Sequence, residues 1–395
     1  MTNLLYDETE EALRASVRAL CAAVSPTGRV LARLAADEPY DPRLWQRLAD
    51  ELGVVGLAVP EEYGGAGAGL REVAVVLEEL GRAVAPVPYL GSAVVATRAL
   101  LRCGATELLA PVAAGRTRAV LVVPVSTAPG DDWPTVEAGP AAAPGAGSGA
   151  ATVPGAATVS GAATVSGAVT SVADALPADL LLVPARDGLY AVRASDPGVR
   201  ISPVVSLDGT RPLGDVDLTA APAVRLAGGS AAVVAVRDGL VAGAAMLASE
   251  QVGVAEWCLD STVRYVRERF QFGRPVGSFQ AVKHRLADVW VGIAEARAVA
   301  RYAADRVAAT QPPGPAPVDA ETELAAAVAA AHCSAVAVTA AETCVQLHGG
   351  IGFTWEHPAH VFLKRAKSNA VMFGTPDRHR AALARLVDLP GPDVA

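Results

Sequence analysis

The spacing of apolar residues changes twice along the chain. Residues 41–52 and 70–84 carry apolar side chains at intervals of three and four, which is typical of amphipathic helices. From about residue 116 to 235 the pattern becomes short β-branched runs bounded by glycine, proline and aspartate, which indicates strands. Helical spacing then returns. The pattern therefore predicts an N-terminal helical domain over residues 1–115, a middle β domain over 116–235 and a C-terminal helical domain over 236–395.

The middle domain combines apolar runs with one low-complexity insert. The runs that predict strands are 119–125, 179–185, 189–194 and 231–236. The insert covers residues 138–167, where the unit AATVPG or AATVSG occurs three times in succession. Three such short units cannot bury a face, so we expect a mobile loop or an irregular hairpin rather than a β-helix.

The C-terminal domain predicts a helix bundle. Its predicted helices lie near 237–268, 279–309, 319–347 and 376–388. Gly349 and Gly350 follow the third of these, as glycines commonly follow a helix C-terminus. Helices of this length suit an antiparallel bundle. The Ala-rich stretch 324–341 includes His332, so we interpret it as a buried bundle helix that is too weakly apolar for a membrane span.

Composition narrows the class of protein. Apolar residues make up 52% of the chain but aromatic residues only 5%, which suits closely packed Ala-rich helices. The net charge of −8 argues against nucleic acid or an anionic membrane as the main partner. The five cysteines are scattered without a CxxC pair, and the N-terminus carries acidic residues from Asp7 onward rather than a signal peptide. The cytoplasm is therefore the expected compartment.

The stretch RERFQFGRPVGSFQAVKHRLADVW, residues 267–290, predicts a corner between two helices. Ser278 is a suitable N-cap for the second helix. The basic residues that crowd this corner are Arg267, Arg269, Arg274, Lys283 and Arg285. A helix N-terminus beside several arginines is a natural phosphate or pyrophosphate site, whereas a solvated basic surface is the alternative that the residues leave open.

A second stretch, CVQLHGGIGFTWEHPAHVFLKRAK at 344–367, places an aromatic-rich loop after a double glycine. No cysteine or carboxylate completes a ligand set with His348, His357 and His360, so no metal site is predicted. A Gly-Gly pair instead lets a flat ligand or another chain lie against the backbone. No motif of a serine hydrolase, a P-loop enzyme or a Rossmann dehydrogenase is present.

Together these stretches resemble the acyl-CoA dehydrogenase family over nearly the whole chain. PEEYGGAGAGLREVAVVLEELGRAVAP is similar to its N-terminal helical domain, and the two C-terminal stretches are similar to its two signatures. The resemblance implies an α+β fold with an N-terminal helical domain, a central β barrel-like domain and a C-terminal four-helix bundle. It also implies FAD and the α,β-desaturation of an acyl thioester, in which a base takes the α proton and flavin N5 accepts the β hydride.

The resemblance also implies which residues contact FAD. Those expected to hold the pyrophosphate and adenine, reaching from a neighbouring subunit, are Arg269, Gln271, Phe272 and Gln280. Those expected to pack on the same dinucleotide are Gln346, Gly349 and Gly350, and Val276 is a further expected cofactor contact. Thr375 is expected close to the same cofactor. In the β domain the usual flavin-contacting hydroxyls are replaced, and the residues at those positions are Ser126, Thr127, Ser171 and Ala173.

The chain departs from the family where a catalytic base is expected. The usual glutamate precedes the Gly-Thr of the last turn, where SNAVMFGTPDRHR has Phe373. A subgroup places its base on the first bundle helix, at the position of Gly243. Neither side chain accepts a proton. The remaining candidates are Asp377, a capping residue by position, Glu250, two helical turns beyond Gly243, and His379, expected on the exposed side of its helix.

Three functions therefore stay open. The chain is an active dehydrogenase with a displaced base, a non-catalytic subunit that completes the FAD site of a mixed tetramer, or a flavoenzyme of this fold with a different oxidation. The implied substrate is an acyl-CoA or acyl-carrier-protein thioester, and the implied electron acceptor is electron-transfer flavoprotein or oxygen. The implied assembly is a homodimer, a tetramer or a heterotetramer, with no nucleic acid and no membrane.

Overall fold

The computed structural model describes residues 4–134, 136–140, 162–310 and 316–389. Within these ranges the α-helices are α1 (Glu8–Val24), α2 (Thr27–Ala35), α3 (Pro42–Asp50), α4 (Leu70–Arg82), α5 (Thr97–Cys103), α6 (Leu109–Ala113), α7 (Gly229–Glu268), α8 (Gln280–Ala309), α9 (Ala320–His348), α10 (Ala359–Asn369) and α11 (Pro376–Leu386). The strands are β1 (Ala119–Leu121), β2 (Glu137–Pro140), β3 (Ala162–Ala173), β4 (Leu180–Ala185), β5 (Gly188–Arg193), β6 (Val199–Val204), β7 (Leu213–Gly228), β8 (Phe270–Gln271) and β9 (Arg274–Pro275).

The N-terminal helices form a layer against the first bundle helix. α1 begins with a capping box, in which Asp7 accepts the backbone N–H of Glu10 and Glu10 accepts that of Asp7, both at 2.8 Å. α4 is buried along most of its length and packs on α7. A π-helical turn, Leu90–Ala96, is also buried and joins this layer to β1 and α7.

The first seven strands form one mixed sheet in the order β1-β4-β5-β7-β3-β2, and β6 also pairs with β7. Only β1 and β4 pair in parallel within the described sheet. The long strand β7 pairs with three others, so it organises the sheet. Val165, Leu181 and Val216 are fully buried in the core of this domain.

The ends of the low-complexity insert form a hairpin. Glu137 pairs with Ser166 and Pro140 with Ala163 in an antiparallel register between β2 and β3. The third AATVSG unit is therefore part of β3, which agrees with the irregular hairpin that the sequence predicts. The rest of the insert, 141–161, lies outside the described residues.

The prediction of a strand at 231–236 is wrong, because this run belongs to α7. Ala232, Ala235 and Val236 are buried there, and Val233 is exposed. That spacing of three and four places them on one helical face. Short β-branched runs fit a strand or a buried helix equally well, and continuity with the 40-residue helix decides the outcome.

The other bundle helices agree with the sequence. α8 and α9 begin and end within one residue of the predicted bounds, and α11 begins at the predicted Pro376. By length and composition both α7 and the helical stretch from Ala320 to Phe353 could span a membrane, so the expectation that 324–341 is too weakly apolar is wrong. Their most apolar windows are 78% and 61% buried in the protein, which identifies both as core helices.

A buried cluster of charges joins the β domain to the bundle. Glu250 on α7 accepts Arg211 at 2.6 Å and Arg365 at 2.9 Å. Arg365, on α10, also donates to Asp208 at 2.5 Å, and Asn369 donates to Glu250 at 3.0 Å. Every member is buried. Because unpaired charges are costly in the interior, the cluster fixes how the two domains meet.

We expect Arg365→Met to destabilise the fold by about 3–5 kcal/mol, because it leaves two buried carboxylates with too few cations. Arg186→Met is the matched control, since Arg186 pairs with Glu137 on the surface at 2.9 Å. An exposed pair of this kind contributes about 0–1 kcal/mol. Urea unfolding measures both, and equal losses would contradict the role given to the cluster.

Candidate active site

The two positions at which a base is expected lie against each other. A Cβ built on Gly243 would lie 2.9 Å from Cζ of Phe373 and 2.8 Å from Cγ2 of Val95. Phe373 is 5% exposed, so its ring fills the space between α7 and the π-helical turn. The cavity that remains beside this ring has a volume of about 20 Å³. That volume holds about one water molecule, not an acyl chain.

The backbone around Phe373 closes the same region. Its N–H donates to the carbonyl of Val125 at 2.9 Å, and the Val125 N–H donates to Ser171 at 2.9 Å. Phe373 has a φ of 57°, a conformation that bulky residues rarely adopt. Burial of the ring and the bond to Val125 hold it there. The turn, the β1 edge and the end of β3 are therefore bonded directly to one another.

The residues expected near a flavin ring offer few free polar groups. The Thr375 hydroxyl is the N-cap of α11, and the Ser171 N–H donates to Asp215 at 2.8 Å. Ser126 is exposed, Thr127 is buried beside it, and Ala173 carries no polar atom on its side chain. At these positions the hydroxyl of Ser126 is exposed, whereas the Thr375 hydroxyl and the Ser171 N–H are already engaged.

Two of the candidate bases are committed to ion pairs. Burial alone would raise the pKa of Glu250, but the charges of Arg211 and Arg365 outweigh burial and lower that pKa to about 2. Such a carboxylate is a poor proton acceptor. Asp377 is exposed and accepts Arg380 at 2.7 Å on the surface of α11.

His379 is buried, at 4% exposure, so the expectation that it lies on the exposed side is wrong. α11 folds against the loop after β1, and a Cβ on Gly374 would lie 3.3 Å from Nε2 of His379 and 2.8 Å from Cβ of Ala128. Burial lowers the pKa of His379, against the opposing effects of a hydrogen bond to the Phe373 backbone and the charge of Asp131. Nε2 has no hydrogen-bond partner in the described part of the chain.

His379 lines a cavity of about 470 Å³, which we call the arginine cavity. Its charged residues are Asp131, Arg237, Glu323, Arg378 and Arg385, and alanines from α7, α9 and α11 form most of its floor. Sequence reasoning missed Arg237 and Arg385 because the lining comes from four separate elements. No local motif joins them.

The residues expected to contact the dinucleotide lie at the other end of the bundle. Tyr265, near the end of α7, stacks on His348, the last residue of α9, with ring centroids 4.5 Å apart. The β8–β9 hairpin and the turn Gly349–Phe353 therefore lie at one corner. The predicted N-cap role of Ser278 is wrong, because α8 begins at Gln280 with Phe279 as its N-cap.

This corner presents open backbone and exposed rings. A Cβ on Gly349 or Gly350 would meet no atom within 4 Å, and Arg269 is exposed. Phe272 is 91% exposed, and Phe353 is also exposed. The remaining expected contacts, Gln271, Val276, Gln280 and Gln346, lie on the same hairpin and helix ends. Open glycines, aromatic faces and a guanidinium fit the adenine and pyrophosphate of FAD.

The two halves of the expected site are far apart within one chain. Gly243 and the end of α7 at Glu268 are separated by roughly 37 Å of helix at 1.5 Å per residue. A single FAD molecule cannot contact both. The halves can therefore act together only if two chains contribute to one cofactor.

The depressed pKa of Glu250 predicts an acid-dependent loss of stability. The folded pKa of about 2 lies below the ordinary 4.5, so its stabilising contribution is present above pH 4.5 and is lost as the pH falls toward 2. The difference in unfolding free energy between the native chain and Glu250→Gln should shrink over that range in urea titrations. A difference that does not change with pH would contradict this.

The contact between Phe373 and Gly243 predicts a coupled pair of substitutions. Gly243→Ala should destabilise the native chain by about 1–3 kcal/mol through overpacking. The cost should fall when Phe373 is also changed to Ala, and a double-mutant cycle measures this coupling. Gly292→Ala is the control, because its Cβ would lie 3.5 Å from Val336, an ordinary van der Waals distance. Equal effects at both glycines would contradict the packing described.

Comparison with known proteins agrees with this architecture. The family models for the acyl-CoA dehydrogenase N-terminal and C-terminal domains match residues 7–114 and 233–387. The chain is 35% identical to the acyl-CoA dehydrogenase IpdE2 of Mycolicibacterium smegmatis, over 96% of this chain and 98% of that protein. It is 34% identical to the acyl-CoA dehydrogenase FadE27 of Mycobacterium tuberculosis, over 86% of each chain.

Two solved structures extend the comparison. A chain of the ChsE4-ChsE5 complex from Mycobacterium tuberculosis is 27% identical, with a TM-score of 0.81, over 99% of this chain and 100% of that one. A chain from a variant of the Tcur3481-Tcur3483 steroid ACAD is 28% identical, with a TM-score of 0.77, over 96% and 98% of the two chains. The chain therefore belongs to the acyl-CoA dehydrogenase family, the oxidoreductases that dehydrogenate the CH–CH bond of acyl thioesters.

Proposed function

We propose that this chain is the FAD-site-completing subunit of a heteromeric acyl-CoA dehydrogenase. It supplies the dinucleotide-binding corner, and a partner chain of the same family supplies the flavin pocket and the catalytic base. The whole assembly desaturates an acyl thioester. Phe373 carries the proposal, because its ring packs on Gly243. The cavity that the same ring lines together with Val95 and β1 has a volume of only about 20 Å³.

The residues at the dinucleotide-binding corner agree with this division of the FAD site between two chains. FAD, when bound, supplies the hydride acceptor for the reaction. Arg269 would pair with the pyrophosphate, Phe272 would cover the adenine, and Gly349 and Gly350 would allow close approach of the backbone. The residues expected near the flavin ring are less open, because Val125 is hydrogen-bonded both to Ser171 and to the turn at Phe373.

We favour this function over that of an active enzyme with a displaced base. Glu250 is held ionised by two arginines, and Asp377 lies on the surface. His379 faces the arginine cavity, not the space beside Gly243. None of these observations places a free base beside Gly243.

The half of the site that we assign to the partner indicates what kind of protein the partner is. The missing half is a flavin pocket with a carboxylate base, which is what a second chain of this family would bring. Each of the two solved relatives carries the names of two different proteins: ChsE4 with ChsE5, and Tcur3481 with Tcur3483. They support a heteromeric assembly for this chain, as a heterodimer or heterotetramer.

The proposal also includes the substrate, the electron acceptor, the compartment and the domain boundaries. The substrate is an acyl-CoA or acyl-carrier-protein thioester, the electron acceptor is electron-transfer flavoprotein or oxygen, and the compartment is the cytoplasm. The proposed division into N-terminal, β and bundle domains lies near residues 115 and 235, and α7 of the bundle begins before the second boundary, at Gly229.

FAD retention tests the proposal. The purified chain alone should retain little FAD, and co-expression with a base-carrying family member should restore a stoichiometric yellow complex. Arg269→Ala in this chain should lower FAD affinity of that complex about tenfold or more, because a charge-assisted bond to pyrophosphate is lost.

Arg267→Ala is the matched control, since Arg267 is also exposed at the end of α7. It should leave FAD affinity nearly unchanged. A chain that retains FAD on its own and loses flavin absorbance when acyl-CoA is added would overturn the proposal. So would full FAD affinity in the Arg269→Ala complex.

A further inference from the structure

Two cysteines from different helices meet beneath the dinucleotide-binding corner. Cys258 lies on α7 and Cys344 on α9, and both are buried in the same apolar cluster. Their side chains are hydrogen-bonded to each other. Neither cysteine is among the residues to which we assign FAD contacts. The pair therefore needs an explanation of its own.

Each cysteine has a polar neighbour one turn further along its own helix. Thr262 follows Cys258 by four residues and His348 follows Cys344 by four, so each of these pairs lies on one helical face. His348 Nδ1 lies 3.6 Å from the Cys344 sulfur and 2.7 Å from the Cys344 carbonyl oxygen. The Thr262 hydroxyl donates to the Cys258 carbonyl at 2.6 Å and also contacts the Cys344 sulfur. A thiol, a hydroxyl and an imidazole therefore surround the sulfur of Cys344.

These neighbours favour the thiolate of Cys344. The hydrogen bond with Cys258, together with those from His348 and Thr262, outweighs burial and lowers the pKa of Cys344 to about 5. Burial alone would lower the pKa of His348, but the bonds to Cys344 and its charge raise that pKa. The other four thiols of the chain have pKa values raised by burial: Cys21, Cys103, Cys258 and Cys333. Because the thiolate is the nucleophilic form, Cys344 is the reactive member of the pair.

A layer of stacked rings separates the two thiols from the surface of the corner. His348 stacks on Tyr265 with ring centroids 4.5 Å apart, and it lies against His357 with centroids 4.3 Å apart. Tyr265 and His357 are half-buried. The stack covers the last turn of α9, and the ends of elements open more readily than the core. A molecule as small as hydrogen peroxide can therefore reach Cys344 when the His348 ring moves aside.

Two other roles for these thiols fit the structure less well. No group of three His, Cys, Asp or Glu side chains within the described ranges is arranged to hold a metal ion. Ordinary packing is seen instead at Cys333, on the same helix, where the thiol donates to the Ala296 carbonyl at 3.4 Å. Cys344 differs because its sulfur contacts a second thiol and an imidazole.

We propose that Cys258 and Cys344 form a redox-active dithiol, in which hydrogen peroxide oxidises Cys344 to a sulfenic acid and Cys258 then closes a disulfide between α7 and α9. The disulfide replaces a contact that already joins the two helices. It locks the end of the bundle that carries the β8–β9 hairpin and the turn Gly349–Phe353. The site does not depend on how FAD is divided between two chains.

The reaction balances with peroxide as the oxidant. The Cys344 thiolate attacks one peroxide oxygen, so that an S–O bond forms, the O–O bond breaks and the leaving hydroxide becomes water with a proton from His348. Cys258 then loses its proton and attacks the Cys344 sulfur, so that the S–S bond forms, the S–O bond breaks and a second water leaves. The two thiols together give two electrons to the peroxide.

Thiol chemistry of the full native chain tests the site directly. The reduced chain is treated with hydrogen peroxide, alkylated and mapped by mass spectrometry without reduction. We expect the peptides that contain Cys258 and Cys344 to be linked, and dithiothreitol to restore both thiols. The linked chain should also melt at a higher temperature than the reduced chain, because the disulfide constrains the unfolded state.

Substitution of each cysteine separates the two roles. Cys258→Ser should stop the reaction at the sulfenic acid of Cys344, which dimedone traps. Cys344→Ser should abolish both dimedone labelling and the linkage. Cys333→Ser is the matched control, because it makes the same change at another buried cysteine of α9, and it should keep the native linkage.

The role of His348 has its own matched control. His348→Phe keeps a ring in the stack but removes the imidazolium, so sulfenic acid should form about tenfold more slowly or less. His357→Phe makes the same change in the neighbouring ring, whose Nδ1 accepts the Ala359 N–H at 3.3 Å, and should leave the rate nearly unchanged. Urea unfolding checks that each variant is folded, and mapping of the native chain needs no variant.

Four outcomes would overturn the inference. The native chain would keep its five thiols in peroxide, or the link between Cys258 and Cys344 would form only in urea. Peroxide would link a different pair of cysteines. The purified chain would hold one zinc ion that is released when Cys344 is changed to serine, which would make the thiols metal ligands. Equal rates in His348→Phe and His357→Phe would overturn the part given to His348.

Discussion

The structure depends on a buried carboxylate held between two arginines. Glu250 lies in the middle of the longest helix, and Arg211 and Arg365 reach it from the β domain and from α10. Arg211 also contacts Asn369 at 2.6 Å and the sulfur of Met372 at 3.5 Å, so the cluster continues to the turn that contains Phe373. One electrostatic constraint therefore sets both the docking of the domains and the position of the turn.

That constraint explains why the pocket beside Gly243 is closed. With the β domain fixed on the bundle, the Val125 carbonyl meets the Phe373 N–H, and the ring turns inward onto Gly243. The closed end and the open corner lie at different positions along α7, about 37 Å of helix apart. Under the proposed function, such a chain supplies a surface for half of a cofactor site, while apolar side chains pack the space beside Gly243.

The sequence predicts much of this structure because its strongest signals are local. Helical periodicity gives α8, α9 and the start of α11 nearly to the residue, and the double glycine marks the end of α9. The prediction of a strand at 231–236 is wrong because β-branched residues fit a buried helix as well as a strand. The prediction that His379 is exposed is wrong for another reason. Its burial depends on Gly374 and Ala128, which only tertiary packing brings together. The arginine cavity has no local signature at all.

Flavin stoichiometry in the purified assembly tests the central claim most directly. Because we propose that this chain supplies the dinucleotide corner and its partner the flavin pocket, we expect one FAD for each pair of unlike chains, measured by flavin absorbance against protein mass or by native mass spectrometry. That single flavin should lose its visible absorbance when an acyl thioester is added. Two reducible flavins per pair would contradict the account, since the second ring would have to lie where Phe373 now packs on Gly243.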